Sequence, residues 1–292
     1  MNKVLIFGGL GNQMFQYALN IALNQKGNES RIIFSNFFYD NHHNGFNLGD
    51  AFQLSLPFPL NVYKFLLNTG FHKNKISSHF LRNYFNKHIS TFQTYNEKKE
   101  FVFNEDVFQQ KSKLIVGTWQ AEEYFKDIKD ILMQEFVFIE PTDRKNRKLV
   151  EEIKNSNSVS IHIRRGDYLN GRWIKSHAVI KDEKYYTRSI NYMNENILST
   201  HYYVFSDDIL WAKENLKLPN CTFIDHNSGK NAYVDMYLMS LCQHNIIANS
   251  TFSWWAAWLN KNETKIVIMP ERWLNNDNAR GIFPSEWLKF KV

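Results

Sequence analysis

Cysteine, metal-binding motifs and long apolar runs are all scarce in this chain of 292 residues. Cys221 and Cys242 are its only cysteines. They are too few for a disulfide framework and form no C-x-x-C pair, so a reducing compartment is expected. The sequence has no D-x-D motif and no cluster of His, Asp and Glu at metal-ligand spacing. We therefore expect chemistry that needs neither a metal ion nor another cofactor.

Signals for export and membrane insertion are missing as well. No apolar run approaches the ~18 residues of a membrane-spanning helix. Residues 1–7 enter a strand pattern with no charged leader or cleavage site before it. The expected location is the cytoplasm, either free or in peripheral contact with the inner face of the membrane.

Two familiar nucleotide-binding motifs are incomplete. Gly9-Leu10-Gly11 lacks the third glycine of a dinucleotide fingerprint because Met14 stands in its place, and the strand predicted at 31–34 has no acidic residue at its tip. No glycine is followed by Lys-Ser or Lys-Thr, which excludes a Walker loop. These absences argue against a nicotinamide-dependent dehydrogenase and against a P-loop enzyme.

What the chain does have is mild basicity and many aromatic residues. Lysine and arginine exceed aspartate and glutamate by six, and 16% of the residues are aromatic. These properties suit an anionic nucleotide, an anionic membrane surface or a nucleic acid, so alone they decide between none of these partners. Trp254, Trp255 and Trp258 lie at helical spacing and are expected in the core rather than in a sugar-stacking platform.

Strands alternate with helices over most of the sequence, a pattern typical of parallel, doubly wound sheets. Strands are predicted at 3–7, 31–34, 114–117, 158–163, 202–205, 222–225, 245–248 and 265–269, and helices at 13–21, 124–138, 184–196, 209–216, 231–243 and after 249. The charged stretch 140–158 indicates a boundary between an N-terminal domain at 1–155 and a C-terminal domain at 156–292. Residues 37–108 are irregular and are interpreted as helices and long loops forming one wall of a cleft.

The central predicted strand runs out into Arg164, Arg165, Gly166 and Asp167. Adjacent arginines at the tip of a buried strand present planar forks of N–H groups, a geometry suited to a diphosphate. Asp167 can hold one fork in position, and Gly166 permits a sharp turn. The alternative is a solvated surface pair with Asp167 as its partner.

Two later segments place polar groups at similar strand ends. Ser250, Thr251 and Ser253 stand where a helix begins after a strand, so they predict a phosphate seat, an ordinary N-cap or both. Asp207 and Asp208 follow another strand. A carboxylate there either accepts hydrogen bonds from a ribose or a guanine edge or caps the next helix, and one aspartate can do each.

Three blocks of the sequence resemble the signature segments of the α-1,2-fucosyltransferases, glycosyltransferase family 11. They read G-G-L-G-N-Q-M-F-Q-Y-A at 8–18, H-I-R-R-G-D-Y at 162–168 and N-S-T-F-S-W-W-A-A-W-L at 249–259. Further similar segments are G-T-W-Q at 117–120 and I-M-P-E-R-W at 268–273. The resemblance covers nearly the whole chain, is weakest at 37–110 and is nearest to short bacterial members without a membrane anchor.

The resemblance implies a GT-B architecture, in which two Rossmann-like domains with parallel sheets face each other across a cleft and the C-terminal one binds GDP-L-fucose. Arg164 and Arg165 would hold the diphosphate, with Arg165 at the leaving β-phosphate. The other donor-binding positions that it implies are His162 near the nucleotide, Asp207 or Asp208 near guanine or ribose, Ser250, Thr251 and Ser253 at the phosphates, and Gly11 and Asn12 over the fucose.

The family also implies inversion at the anomeric carbon without a metal, in agreement with the missing D-x-D motif. Paired arginines in a closed cleft would stabilise the departing GDP. Asp167 is one candidate for the base that takes the acceptor proton. A carboxylate or histidine of the N-terminal wall, or a dissociative reaction with late proton loss, is the other possibility.

The expected acceptor is a galactose-terminated oligosaccharide or lipid-linked glycan, such as an O-antigen or capsule repeat, and no nucleic acid is expected as a partner. One alternative keeps GDP-fucose but changes the linkage or acceptor. Another is a non-catalytic nucleotide- or RNA-binding protein, which would explain the basicity but not the ordered blocks.

Overall fold

The computed structural model describes residues 1–34, 47–55, 92–166, 180, 182–275 and 279–292. The chain separates into two compact units, Met1–Ile139 and Glu140–Val292. Each unit contains a parallel sheet accompanied by helices, which confirms the predicted α/β class with two parallel sheets. Most of the segment interpreted as a cleft wall, 37–108, lies outside the described residues.

The first unit has a four-stranded sheet in its described part. Its strands are β1 (Asn2–Ile6), β2 (Ser30–Phe34), β3 (Gln93–Asn96) and β4 (Lys113–Val116), and its α-helices are α1 (Leu10–Gln25), α2 (Leu48–Ala51) and α3 (Lys129–Glu135). The strand order is β2-β1-β4-β3, with every pair parallel. The carboxyl ends of β1, β4 and β3 therefore lie side by side at one edge.

The turn between β1 and α1 is tighter than the sequence analysis indicated. Helix α1 begins at Leu10 rather than at 13, so Gly11 and Asn12 belong to its first turn. Gly8 has φ +78°, a conformation that glycine adopts far more readily than residues with a side chain.

The second unit has a six-stranded sheet in its described part, with every pair parallel. Its strands are β5 (Asn157–Ile163), β6 (Thr200–Ser206), β7 (Cys221–Ile224), β8 (His244–Ile246), β9 (Val267–Pro270) and β10 (Leu288–Phe290). Its α-helices are α4 (Arg144–Lys154), α5 (Lys184–Asn196), α6 (Ile209–Asn215), α7 (Tyr233–Leu241) and α8 (Thr251–Leu259). The strand order is β10-β9-β8-β5-β6-β7, which puts β5 in the interior of the sheet.

The division between the units falls before α4, earlier than the boundary predicted at 155. Although α4 is rich in charge, it packs Leu149, Val150 and Ile153 inward, and Asn146 in its first turn bonds to Asn227 of the second unit. The charged stretch in which the boundary was predicted therefore contains an amphipathic helix of the C-terminal unit.

Three further elements differ from the sequence-based expectation. Strand β3 was not predicted because its residues show no apolar alternation. Strand β10 does alternate, but its three residues are fewer than the roughly 4–8 on which a strand prediction rests. The helix predicted at 124–138 consists of short 3-10 turns at Glu122–Tyr124 and Lys126–Ile128 followed by the seven-residue α3.

The expected burial of the tryptophan cluster is confirmed. Trp254, Trp255 and Trp258 are each at most 2% exposed and pack on one another with ring centroids 5.1–6.3 Å apart. Their indole rings hold α8 against the C-terminal core, which fixes the position of the first turn of that helix.

Candidate functional site

The carboxyl end of β5 carries the two arginines. Ile163 is the last residue of the strand, and the chain continues directly into Arg164 and Arg165. Arg165 is only 8% exposed, and the Arg164 side chain is 30% exposed. The pair is therefore not a solvated surface pair, since one member is buried at the end of a core strand.

Asp207 connects the tip of β6 to both arginines. Because β5 and β6 are parallel neighbours with Ile163 opposite Ser206, the residues that follow each strand come side by side. Asp207 Oδ1 accepts a hydrogen bond from the backbone N–H of Arg165 at 2.9 Å, and its Oδ2 lies 3.2 Å from Arg164 Nη1. This carboxylate thus fixes both the backbone and one guanidinium of the pair.

Asp208 holds the second guanidinium and also caps a helix. Its Oδ1 accepts the backbone N–H of Trp211 at 3.2 Å at the start of α6, and its Oδ2 lies 3.4 Å from Arg165 Nε. The guanidinium carbon of Arg165 lies 4.0 Å from the centroid of the Trp211 ring, a cation–π contact. Arg165 Nη1 donates to the carbonyl oxygen of Ile180 at 3.3 Å. Arg165 is thus restrained on several sides.

His162 links β5 to the start of α8. Its Nδ1 lies 2.8 Å from Ser253 Oγ, and both residues are buried. Burial, with a smaller contribution from the positive charge of Arg164, lowers the pKa of His162 to about 3. The imidazole is neutral at physiological pH, so it orients Ser253 and adds no charge to the edge.

This contact ties the first turn of α8 to β5 at His162, two residues before Arg164. Ser250 is the N-cap, and its Oγ accepts the backbone N–H of Phe252 at 3.4 Å. The predicted capping role is therefore confirmed. The phosphate role of Ser250, Thr251 and Ser253 stays a prediction. The helix has nine residues, and its N-terminus carries the positive end of the helix dipole.

Asp167, the predicted base or arginine partner, lies outside the described residues. Within the described ranges, the carboxylates on Arg164 and Arg165 are Asp207 and Asp208. The sequence analysis placed these two aspartates near a ribose or guanine, and it did not anticipate their pairing with the arginines.

A further carboxylate of this unit was missed entirely. Asp235, in the first turn of α7, accepts a hydrogen bond from Asn227 Nδ2 at 2.7 Å. Asn227 also exchanges amide hydrogen bonds with Asn146. Burial raises the pKa of Asp235 to about 7, opposed by the Asn227 bond. No motif surrounds Asp235 in the sequence, so only the packing of α7 and α4 reveals it.

The edge of the N-terminal unit is built around the turn after β1. Gln13 Nε2 donates to the carbonyl oxygen of Gly8 at 2.7 Å, and Gln16 Oε1 accepts the backbone N–H of Phe7 at 2.9 Å. Gln16 Nε2 reaches across to the carbonyl oxygen of Gly117 after β4 at 3.1 Å. Amide side chains of α1 thus tie the ends of β1 and β4 together.

Gln120 and Glu97 extend this arrangement. Gln120 Nε2 donates to Asn12 Oδ1 at 3.0 Å, which connects the G-T-W-Q segment to the first turn of α1. Glu97, directly after β3, accepts the backbone N–H groups of Thr118 and Trp119 at 2.7 and 3.2 Å. Burial raises the pKa of Glu97. The predicted residues Gly11 and Asn12 therefore lie at the same edge as Glu97, which the sequence analysis did not single out.

Metal-ligand clusters and membrane spans were also searched for in the described part of the chain. In those residues, no group of three His, Cys, Asp or Glu side chains is arranged to hold a metal ion. No helix among them is both long and apolar enough to cross a bilayer.

Comparison with known proteins gives matches along the whole chain. Residues 1–291 match the family model Glycosyl transferase family 11. The chain is 33% identical over 290 residues to an alpha-1,2-colitosyltransferase of Escherichia coli, covering 97% of each protein. It is 32% identical over 307 residues to the O-antigen biosynthesis glycosyltransferase WbnK of Escherichia coli, covering 96% of this chain and 97% of that protein.

A more distant match is the human galactoside alpha-(1,2)-fucosyltransferase 1, 26% identical over 136 residues, which are 44% of this chain and 37% of that protein. The family model and the two bacterial relatives match nearly the full length of the chain. The range matched by the family model, 1–291, contains the glycine turn, the arginine block and the α8 block. The chain therefore belongs to glycosyltransferase family 11.

Proposed function

We propose that this protein transfers L-fucose from GDP-L-fucose to the 2-OH of a β-galactoside in a surface glycan, with inversion and without a metal ion. The observation that carries the proposal is the arginine pair at the end of β5, with Arg165 held in place by Asp208 and Trp211. The family match supports glycosyl transfer. The names of a colitosyltransferase and a fucosyltransferase relative support a 1,2-linkage, and that of a third supports an O-antigen acceptor, free or lipid-linked.

The arginines would stabilise the leaving group. In a single displacement the acceptor oxygen forms a bond to C1 of fucose while the C1–O bond to the β-phosphate breaks and its electron pair leaves with GDP. Negative charge grows on the diphosphate, where Arg165 and Arg164 offer planar N–H forks. Because Asp207, Asp208 and Trp211 already orient these side chains, little reorganisation is needed when the charge develops.

The first turn of α8 would bind the same diphosphate. The N-terminus of this helix favours anions through its dipole and its backbone N–H groups. Neutral His162 fixes the hydroxyl of Ser253 at 2.8 Å, so that Ser253 keeps one orientation beside the arginines. Ser250 and Thr251 complete the proposed seat. Positive charge from two arginines and one helix end would replace a metal ion in this scheme.

The acceptor proton needs a destination as well. Asp167 stays one candidate base, beside a carboxylate or histidine of the N-terminal unit and a dissociative reaction with late proton loss.

A second donor is favoured by a specific observation, the 33% identity to an alpha-1,2-colitosyltransferase. Colitose is L-fucose without its 3-hydroxyl group, so the two donors share the GDP moiety and differ in one hydrogen-bonding group. A site built to bind that hydroxyl would strongly reject the deoxy sugar, whereas an apolar contact there would discriminate weakly.

The test is a transfer assay with GDP-L-fucose and GDP-L-colitose in parallel, using lactose as the β-galactoside and measuring GDP release with and without EDTA. We expect fucose transfer that EDTA does not change, and a product whose NMR spectrum shows an α-linkage to the 2-OH of galactose. Transfer abolished by EDTA, or a different linkage, would contradict the corresponding part of the proposal. Faster transfer of colitose would replace the donor assignment.

A further inference from the structure

Three polar side-chain atoms at the carboxyl edge of the N-terminal sheet are buried and have no hydrogen-bond partner among the described residues. They are Tyr95 Oη, Glu97 Oε1 and Trp119 Nε1. Burying a polar atom without a partner costs stability, so native proteins contain few such atoms, and each needs an explanation. Glu97 bonds to the backbone of Trp119, and the Trp119 ring lies parallel to that of Tyr95, so the three atoms belong to one cluster of residues and indicate a site rather than three separate packing faults.

Glu97 and Trp119 both lie against Gly117. A Cβ atom on that glycine would lie 2.7 Å from Glu97 Oε2 and 2.9 Å from Cε2 of Trp119, the ring atom bonded to Nε1. The rings of Tyr95 and Trp119 stack nearly parallel, with centroids 6.4 Å apart. Tyr95 and Glu97 are two positions apart at the end of β3, so they project from the same face of that strand.

Glu97 is held in a fixed orientation that uses only one of its oxygens. Oε2 accepts hydrogen bonds from Thr118 N at 2.7 Å, Thr118 Oγ1 at 3.2 Å and Trp119 N at 3.2 Å. Trp119 has φ +56°, an uncommon conformation for a large side chain, which local contacts must stabilise. The hydrogen bonds to the turn explain the position of Oε2. They do not explain why Oε1 and the Trp119 indole N–H are both buried without a partner in the described part of the chain.

We propose that Glu97 Oε1, Trp119 Nε1 and Tyr95 Oη form a subsite that binds a sugar ring of the acceptor, an inference that rests on the proposed glycosyl transfer. The chemistry of the three atoms suits hydroxyl groups. The carboxylate oxygen accepts from a sugar O–H, the indole N–H donates to a sugar oxygen, and the phenol does either. Glu97 and Tyr95 are partly exposed as residues, although the three polar atoms themselves are buried. A sugar would therefore reach these atoms only by displacing the groups that cover them, at the edge where Asn12 and Gln120 also lie.

Glu97→Gln tests this subsite with little change in shape. The amide keeps one oxygen for the N–H groups of Thr118 and Trp119 but places an NH₂ group where Oε1 accepts. Glu105→Gln, at an exposed position of the same unit, is the matched control. We expect Glu97→Gln to raise the KM for lactose about tenfold or more, the size of effect typical of a lost hydrogen bond to a charged group. The control should leave this KM unchanged.

Two further measurements separate binding from folding. The thermal midpoint of Glu97→Gln and its affinity for GDP, measured by calorimetry, should stay close to wild type, because the turn is retained and the arginine pair belongs to the other unit. Tyr95→Phe and Trp119→Phe, which each remove one of the polar atoms, should also raise the KM for lactose. A lowered thermal midpoint with an unchanged KM in all three variants would show a purely structural cluster and overturn the proposal.

Failure of the subsite is distinguishable from failure of the proposed function. Saturation-transfer NMR with lactose, performed without any donor, measures acceptor binding on its own. If wild type transfers no sugar but binds lactose more tightly than Glu97→Gln does, the transfer proposal fails and the subsite stands. Equal lactose binding by the two proteins, or binding by neither, would overturn the subsite even if fucose transfer is confirmed.

Discussion

Both parallel sheets carry polar side chains at their carboxyl edges, but the two edges differ in which groups these side chains bond to. In the C-terminal unit, Asp207 and Asp208 hold Arg164 and Arg165, so charges of both signs are paired within the protein. In the N-terminal unit, amides tie the backbone turns, and three buried polar atoms, on Tyr95, Glu97 and Trp119, have no partner among the described residues. The phenol and the indole are neutral, so a missing partner costs them less than it costs a charge, and the carboxylate of Glu97 is held by backbone N–H groups through its other oxygen.

That difference fits the two classes of ligand proposed above. A diphosphate is recognised by positive charge and by the planar N–H forks of arginine. It binds the arginines either beside the carboxylates that already contact them or in their place. A sugar ring is recognised by single hydroxyl groups, each of which satisfies one donor or acceptor. The two edges can therefore be disturbed separately, and each substitution below is directed at one of them.

The largest effect is expected at the charged edge, from Arg165→Lys. Lysine keeps the positive charge but loses the planar fork and the stacking on Trp211. Turnover should fall by about two to three orders of magnitude, as for other groups that stabilise a developing charge. Initial rates at saturating donor and lactose measure this, with thermal unfolding as the check on folding. Turnover within a few-fold of wild type would remove Arg165 from the diphosphate site.

A pair of glycine substitutions compares the packing of the two edges. Gly117→Ala puts a Cβ 2.5 Å from Glu97 Cβ, which has no room to withdraw, whereas Gly166→Ala approaches only the tip of Asp207 at 3.0 Å. We expect Gly117→Ala to lower the free energy of unfolding by about 1–3 kcal/mol and Gly166→Ala by less than about 1 kcal/mol. Urea titrations of both variants measure the difference. Equal destabilisation would mean that the N-terminal edge is not the more tightly packed one.

The most gradual effect is expected from Asp235→Asn, because it develops over several pH units. The pKa of Asp235 is about 7 in the fold against about 3.9 for an unperturbed aspartate, so the folded protein binds the extra proton between these values. Wild type therefore loses stability as pH rises from about 4 to 7, and the variant should gain about 1.4 kcal/mol relative to wild type per pH unit over that window. Denaturation at several pH values measures the slope.

The N-terminal edge provides the comparison for this titration. Glu97→Gln should show a difference of the same sign, because the pKa of Glu97 is raised as well. A flat difference curve for Asp235→Asn would contradict the burial of that carboxyl group.

The sequence predicted more of the C-terminal sheet edge than of the N-terminal one, and the reason is physical. β5 is an interior strand with β-branched residues at alternate positions, and two arginines follow it directly. Both the strand and the charged residues at its end can therefore be recognised in the sequence. β3 is a short strand at the margin of its sheet, with mostly exposed positions, and Glu97 follows it in a segment rich in charge. Nothing in that pattern distinguishes Glu97 from the neighbouring Glu100.

Hydrogen bonds and ion pairs between side chains of different elements could not be predicted from the sequence either. The position of Asp207 and Asp208 after a strand was recognised, but their bonds to the arginines depend on β5 and β6 being neighbours in register. Asp235 is similar, since its pKa is raised by burial in the packed unit rather than by any local motif, and its bond to Asn227 opposes that rise. Motifs in the sequence predicted where polar and charged side chains lie at strand ends. Which of these side chains pair with one another followed only from the topology of the sheet.

Asp208 joins a guanidinium to a helix cap, and this has a consequence for detecting ligands. The same carboxyl group contacts Arg165 Nε and accepts the Trp211 backbone N–H, while the Trp211 ring lies beneath the guanidinium. If the proposed diphosphate binds Arg165, its charge also acts on Asp208 and so on the first turn of α6. Deuterium uptake at the Trp211 amide would then report nucleotide binding.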